Sequence, residues 1–112
     1  MELMQEKAQT GLICVQTTVS TETDAQKIAD ALTATGVAAC VQITPIKSIY
    51  RWDGKIESAN EFLLTIKTLT GRLQHVEAYI QSEHPYDEPE LIVLPVLAAS
   101  KGYAAWVEAS VS

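Results

Sequence analysis

Tyr50-Arg51-Trp52-Asp53-Gly54-Lys55-Ile56 decides how this chain folds. Asp53-Gly54 is a two-residue hairpin signal, because a type I′ turn needs positive φ at both central positions. Counting outward from it, Trp52 pairs with Lys55 and Tyr50 with Glu57. The arms run on past Ile46 and Phe62, so strands over residues 38–52 and 55–69 are expected. In the first arm Val41 and Ile43 share one face, and Cys40 and Gln42 share the other. Pro45 has no N–H to give a ladder, so it marks an edge, a bend or a bulge. In the return arm Phe62, Leu64 and Ile66 line one face.

On the N-terminal side, Gly11 to Thr18 reads as a first strand, rich in apolar and β-branched residues. Ser20 to Asp24 supplies N-cap candidates and early acidic residues for a helix. Ala25, Ile28, Ala29 and Leu32 give that helix an apolar stripe, and Gly36 ends it. On the C-terminal side, Thr70 is the expected N-cap of a second helix with Leu73, Val76 and Ile80 on its buried face. Pro85 stops it, since the ring pushes His84 out of helical conformation. Glu90 to Val96 is a fourth strand. Tyr103, Trp106 and Val107 suggest a short C-terminal helix packed by one face.

The order β-α-β-β-α-β predicts an α+β, ferredoxin-like fold: one antiparallel sheet with two helices on one face. Strand three then lies between strands one and two. Residues 1–10 read as a flexible tail and residues 11–112 as a single domain. An internal disulfide between Cys14 and Cys40 is not expected. Two strands apart is roughly 10 Å, beyond the ~7 Å that a disulfide spans between Cα atoms.

The hairpin is longer than the rest of such a sheet can cover, and a two-stranded ribbon alone is marginal in water. Yet it carries Ile46, Ile49, Tyr50, Trp52 and Ile56. Proteins cover or pair such edges. One reading has the C-terminal helix cover the ribbon within the chain. The other has neighbouring copies pair with it in a closed ring.

Composition narrows the partners. The chain has 112 residues, 47% hydrophobic and 20% charged, and a net charge of −6. Its eight Lys and Arg are scattered, which argues against a nucleic-acid surface. No apolar run approaches the ~20 residues of a membrane span. The polar first ten residues carry no signal-peptide stretch, so a cytoplasmic location with reduced thiols is expected.

Four segments occur in a telling order: Ala38-Ala39-Cys40; Tyr50 through Ile56; Lys67-Thr68; and His84-Pro85-Tyr86-Asp87-Glu88-Pro89-Glu90 running on into Leu91-Ile92-Val93-Leu94-Pro95-Val96. Together they resemble the CutA family, the divalent-cation tolerance proteins, over about residues 11 to 109. The resemblance implies a ferredoxin-like fold and a very stable homotrimer joined by inter-subunit strand pairing. It also implies a role in tolerance to copper and other divalent cations. No organic cofactor is expected.

Candidate metal ligands are Cys40, His84 and Glu90, in some combination. A thiolate suits copper or zinc, and imidazole with carboxylates suits Cu(II), Zn(II) or Ni(II). The plain alternatives are a small buried cysteine and a solvated loop whose prolines merely stop a helix and start a strand. Cys14 reads as core packing and His75 as solvent-facing. The resemblance also covers Tyr50, Trp52, Lys55, Lys67 and Tyr86, expected at an inter-subunit interface or cleft. Glu83 stands where some family members carry a second histidine.

Three further functions bear weighing. A trimeric small-molecule sensor of the nitrogen-regulatory type would share the architecture, but the chain has no Gly-rich phosphate loop. An acylphosphatase-like hydrolase would need an Arg-bearing, Gly-rich loop after strand one, where Thr17 to Thr21 has neither. No Ser-His-Asp or Cys-His arrangement is evident. A structural trimer that anchors another protein remains as the third. The sequence favours a non-enzymatic, metal-responsive binding protein.

Overall fold

Leu12–Val19 forms β1, and its side chains alternate between the two faces of the sheet. In the computed structural model, which describes residues 11–112, the elements that follow are α1 (Glu22–Ala34), β2 (Cys40–Trp52) and β3 (Lys55–Leu69). A 3-10 turn (Thr70–Arg72), α2 (Leu73–Glu83), β4 (Ile92–Pro95) and α3 (Lys101–Ser110) complete the chain. The expected tail, residues 1–10, lies outside the described residues. The sheet order is β2-β3-β1-β4, antiparallel throughout, as the ferredoxin-like reading expects.

The hairpin turn has the predicted chemistry. Asp53 and Gly54 have φ of 52° and 74°, and Trp52 pairs with Lys55 and Tyr50 with Glu57. Pro45 lies on β2, an edge strand, where its missing N–H costs least.

Alternation divides the sheet into two faces. One carries Val15, Val19, Leu64 and Ile66, which pack against Ala25, Ile28 and Leu32 of α1 and Val76 and Ile80 of α2. Each Val, Leu or Ile among them, fully buried, contributes about 1.5–3 kcal/mol. Thr21 caps α1 by accepting from the Asp24 N–H at 3.1 Å. The other face carries Leu12, Cys14, Cys40, Glu61, Lys67 and the aromatic side chains of Tyr50 and Trp52. Helix α3 lies on one end of it, packing Ala104 and Val107 against Leu12, Leu69 and Val96.

Four sequence expectations need correction. Thr70 does not cap a helix: a 3-10 turn intervenes, and the Thr70 hydroxyl donates instead to the Gly11 carbonyl at 3.0 Å. β4 is only Ile92–Pro95, because Glu90 and Leu91 belong to the preceding loop. Helix α3 buries Ala104 and Val107, whereas Tyr103 and Trp106 stay exposed. Cys14 faces the open side of the sheet and is only half-buried, so it is not a core residue.

Helix α3 sits at the far end of the sheet from the hairpin tip, so it leaves the ribbon uncovered. Ile49, Trp52 and Ile56 are 69%, 70% and 64% exposed. Both cysteines are free, each paired across a ladder with Lys67, which stands between them.

Candidate functional site

The site is built by the loop that leaves α2. His84 ends that helix in an extended conformation (φ −71°, ψ 136°), as a residue before proline should. Its ring then reaches back to the sheet. Nε2 lies 2.9 Å from the Thr18 carbonyl, and the Tyr86 N–H donates to Nδ1 at 3.0 Å. A carbonyl only accepts, so the proton sits on Nε2 and Nδ1 offers its lone pair to Tyr86. Both ring nitrogens of a neutral imidazole are thereby used. Burial holds the His84 pKa below its ordinary value of 6.5, against the opposing pull of the Thr18 carbonyl, Asp24 and Glu61.

Folded back in this way, the loop brings Tyr86 over the open face of the sheet. Its hydroxyl donates to Glu61 Oε2 at 2.7 Å. Burial, then the hydrogen bond and charge of Glu61, push the Tyr86 hydroxyl up to about 12. Its ring meets that of His84 edge-on, with centroids 5.0 Å apart.

Between loop and ribbon lies a cleft of about 540 Å³. Tyr50, Trp52 and Ala59 of the ribbon form one wall, and Tyr86, Asp87, Glu88 and Glu90 of the loop form the other. Glu61 and Thr18 make the floor. Four carboxylates thus line one cavity, and among the described residues no Lys or Arg lines it. The Glu90 carboxyl is held above its ordinary range by burial and by the charge of Glu61.

The family model of the CutA1 divalent ion tolerance protein matches residues 13–110. The chain belongs to the CutA1 family. The divalent-cation tolerance protein CutA of Pectobacterium atrosepticum is 35% identical over 108 residues, 96% of this chain and 98% of that one. The chloroplastic CutA of Arabidopsis thaliana is 38% identical over 96% of this chain and 60% of its own length. Among solved structures, CutA of Synechococcus elongatus superposes with a TM-score of 0.87 at 44% identity, covering 90% of each chain. A second structure of that protein is described as complexed with Bis-Tris (TM-score 0.83, 43% identity, 89% and 93% covered).

In this CutA1-family chain the expected site residues fall into two groups. Tyr50, Trp52, Tyr86 and Glu90 line the cleft, and His84 pins the loop that forms its wall. Lys55 stands at the ribbon tip opposite Trp52, exposed and outside the cleft lining. Cys40 and Lys67 lie elsewhere. Cys40 is level with Cys14, four residues along β1 from the Thr18 carbonyl that His84 holds. That is about 13 Å of strand, so one chain does not bring Cys40 and His84 to a single ion. Lys67 reaches instead into a cavity of about 260 Å³ under α3, its Nζ 5.4 Å from the Tyr103 ring centroid. Among the described residues, no three His, Cys, Asp or Glu side chains converge closely enough to hold a metal ion.

Sequence reasoning missed Glu61 and Thr18. Glu61 stands on the open face at the root of the ribbon. Only the return of a loop 25 residues downstream gives it a partner, and no local spacing signals that contact. Thr18 takes part through its backbone carbonyl, which any residue would supply.

Proposed function

We propose that this member of the divalent-cation tolerance family acts without catalysis, as a homotrimer that takes up divalent cations, copper among them, at the cleft between ribbon and loop. The observation that carries this is the gathering of Glu61, Asp87, Glu88 and Glu90 around one cavity, with no basic side chain in its lining among the described residues. Glu90 and Glu61 are the first contacts, the charge of Glu61 being near enough to help raise the Glu90 carboxyl after burial. His84 can join them only by releasing a backbone partner, which makes binding weak to moderate. Cys40 would contribute at a separate place, or through another copy.

Trimerisation is supported by the uncovered ribbon and by the two sheet edges, β2 and β4, that lack a neighbouring strand among the described residues. A closed ring pairs such edges without leaving one to grow. Tyr50 and Trp52 would then face a neighbour, with Lys55 at the rim. Lys67 would lie nearer the middle of the assembly. A reducing, cytoplasmic setting suits the two free cysteines. No helix among the described residues is long and apolar enough to cross a membrane.

Calorimetry and copper EPR on the native protein test the metal reading against Glu61→Gln, Glu90→Gln, His84→Ala and Cys40→Ser. Loss of binding in the two glutamate variants is the expected result. Unchanged binding in all four removes these residues from the reading. A second reading, a trimeric small-molecule sensor, is favoured by the size of the cleft and by the Bis-Tris complex of the Synechococcus relative.

A further inference from the structure

The β2–β3 ribbon has two unlike faces. Tyr50 and Trp52 stand on the open face of the sheet. The register is continuous along β2, so Lys47, Ile49 and Arg51 stand on the opposite face, in line with Val41 and Ile43, which pack toward the helices. Ile56, opposite Arg51 in the ladder, joins them. All four are exposed, because the ribbon runs on past Phe62, where its pairing with β1 ends. Two isoleucines and two cations thus form one strip. Neither cation has a carboxylate partner among the described residues.

An apolar surface bordered by acids would fit such a strip, and the chain carries one. Ile92, Val93 and Leu94 of β4 are exposed, and Asp87 and Glu88 stand exposed in the loop that leads into them. No Lys or Arg occurs from His84 to Ser100 to neutralise those acids locally. The strip cannot reach this surface within its own chain. β2 and β4 are opposite borders of the sheet, three strand spacings or roughly 14 Å apart. A second copy can bring them together. The two surfaces differ, so the contact is heterologous, and a heterologous contact that repeats head to tail closes into a ring.

We propose that in the trimer the Lys47–Arg51 strip of one copy seats on the β4 border of the next, with its two cations against Asp87 and Glu88 of that copy. This rests on the trimer reading and names the surfaces that meet. The neighbour then holds the loop that walls the cation cleft from outside, so the cleft is complete only in the ring. Asp87 and Glu88 are engaged by the neighbour, which leaves Glu61 and Glu90 for the cation.

The test is light scattering on the intact chain over a dilution series, in a fixed sub-denaturing concentration of urea at low salt. Reversal of a charge sets like charges face to face. Arg51→Glu should therefore weaken assembly about tenfold, and so should Asp87→Arg with Glu88→Arg. All three substitutions in one chain should restore most of the loss. Lys27→Glu, on the exposed surface of α1, should change nothing. Far-ultraviolet circular dichroism on each variant separates lost assembly from lost fold, and the milder Arg51→Gln and Glu88→Gln replace any reversal that unfolds the chain. Assembly that no reversal weakens overturns the proposal, and so does a Lys27→Glu effect as large as that of Arg51→Glu. Single losses that the combined chain does not repair show that the strip meets some other surface, and overturn it as well. A native protein that is already a single chain without urea removes the trimer reading together with this one.

Discussion

The Tyr86 hydroxyl donates to Glu61 Oε2 at 2.7 Å and ties the loop after α2 to the root of the β2–β3 ribbon. It joins the walls of the cleft and places a carboxylate at the centre of its floor. A hydrogen bond to a charged acceptor contributes about 1.5–3 kcal/mol when partly buried. Tyr86→Phe should therefore lower stability by about 1–2 kcal/mol. Urea denaturation measures this, and an unchanged midpoint would show that the loop is held without the bond.

Tyr86 also offers a spectroscopic handle. The chain has four tyrosines, and burial with Glu61 raises this one to about 12. Ultraviolet titration should show one tyrosine ionising last. In Glu61→Gln that late step should move to lower pH. If the late step is insensitive to Glu61, burial alone sets it.

His84 gives a pH dependence of definite sign. Burial lowers its pKa below 6.5, so the folded chain binds this proton more weakly than the unfolded chain. Its contribution is fully present above pH 6.5 and is lost as pH falls through the lowered value. Protonation of Nδ1 also removes the acceptor for the Tyr86 N–H. The stability gap between the native protein and His84→Ala should narrow on acidification. Nitrogen NMR should find the proton on Nε2 at neutral pH. A gap that widens on acidification contradicts the tautomer assigned above.

The ribbon should govern assembly. Ile49 and Ile56 are 69% and 64% exposed in the single chain. Charged replacements, Ile49→Lys or Ile56→Glu, should shift the native mass in light scattering from three chains toward one. They should leave the single-chain fold intact, because neither side chain belongs to the core. A native protein of single-chain mass at micromolar concentration would end the trimer reading.

The thiols should resist pairing within the chain. Cys14 and Cys40 both face Lys67, on strands separated by β3. Oxidation followed by mass spectrometry should yield no intramolecular bridge. Finding one would mean that the register of β2 or β1 differs from that described.

The legible parts of this fold were those fixed by local chemistry. Asp53-Gly54 set a turn, the turn set the register, and the register carried alternation through both long strands. Helices α1 and α2 followed from apolar spacing, and Pro85 from its ring. What escaped were choices made by distant neighbours. Thr70 has all the marks of a cap, but Gly11 offers its hydroxyl a carbonyl 59 residues away. Tyr103 and Trp106 look like an anchoring face, but the gap beside Leu12 admits only Ala104 and Val107. The candidate site divided for the same reason. His84, Tyr86 and Glu90 are consecutive enough to be read together. The separation of Cys40 and Lys67 from them is a distance along β1, visible only once the loop is seen to cross near Thr18.

The pairing of Ile13 with Pro95 sets a timetable for the nascent chain. β1 is made before the ribbon, yet its outer neighbour β4 is made after both the ribbon and α2. The hairpin is purely local and can zip within microseconds of leaving the exit tunnel. Between the making of Leu69 and that of Ile92–Pro95 the polypeptide is a finished ribbon beside an unfinished sheet, with long-range closure the slow step. A chain whose ribbon has closed while β4 is still to come carries an open border along β1.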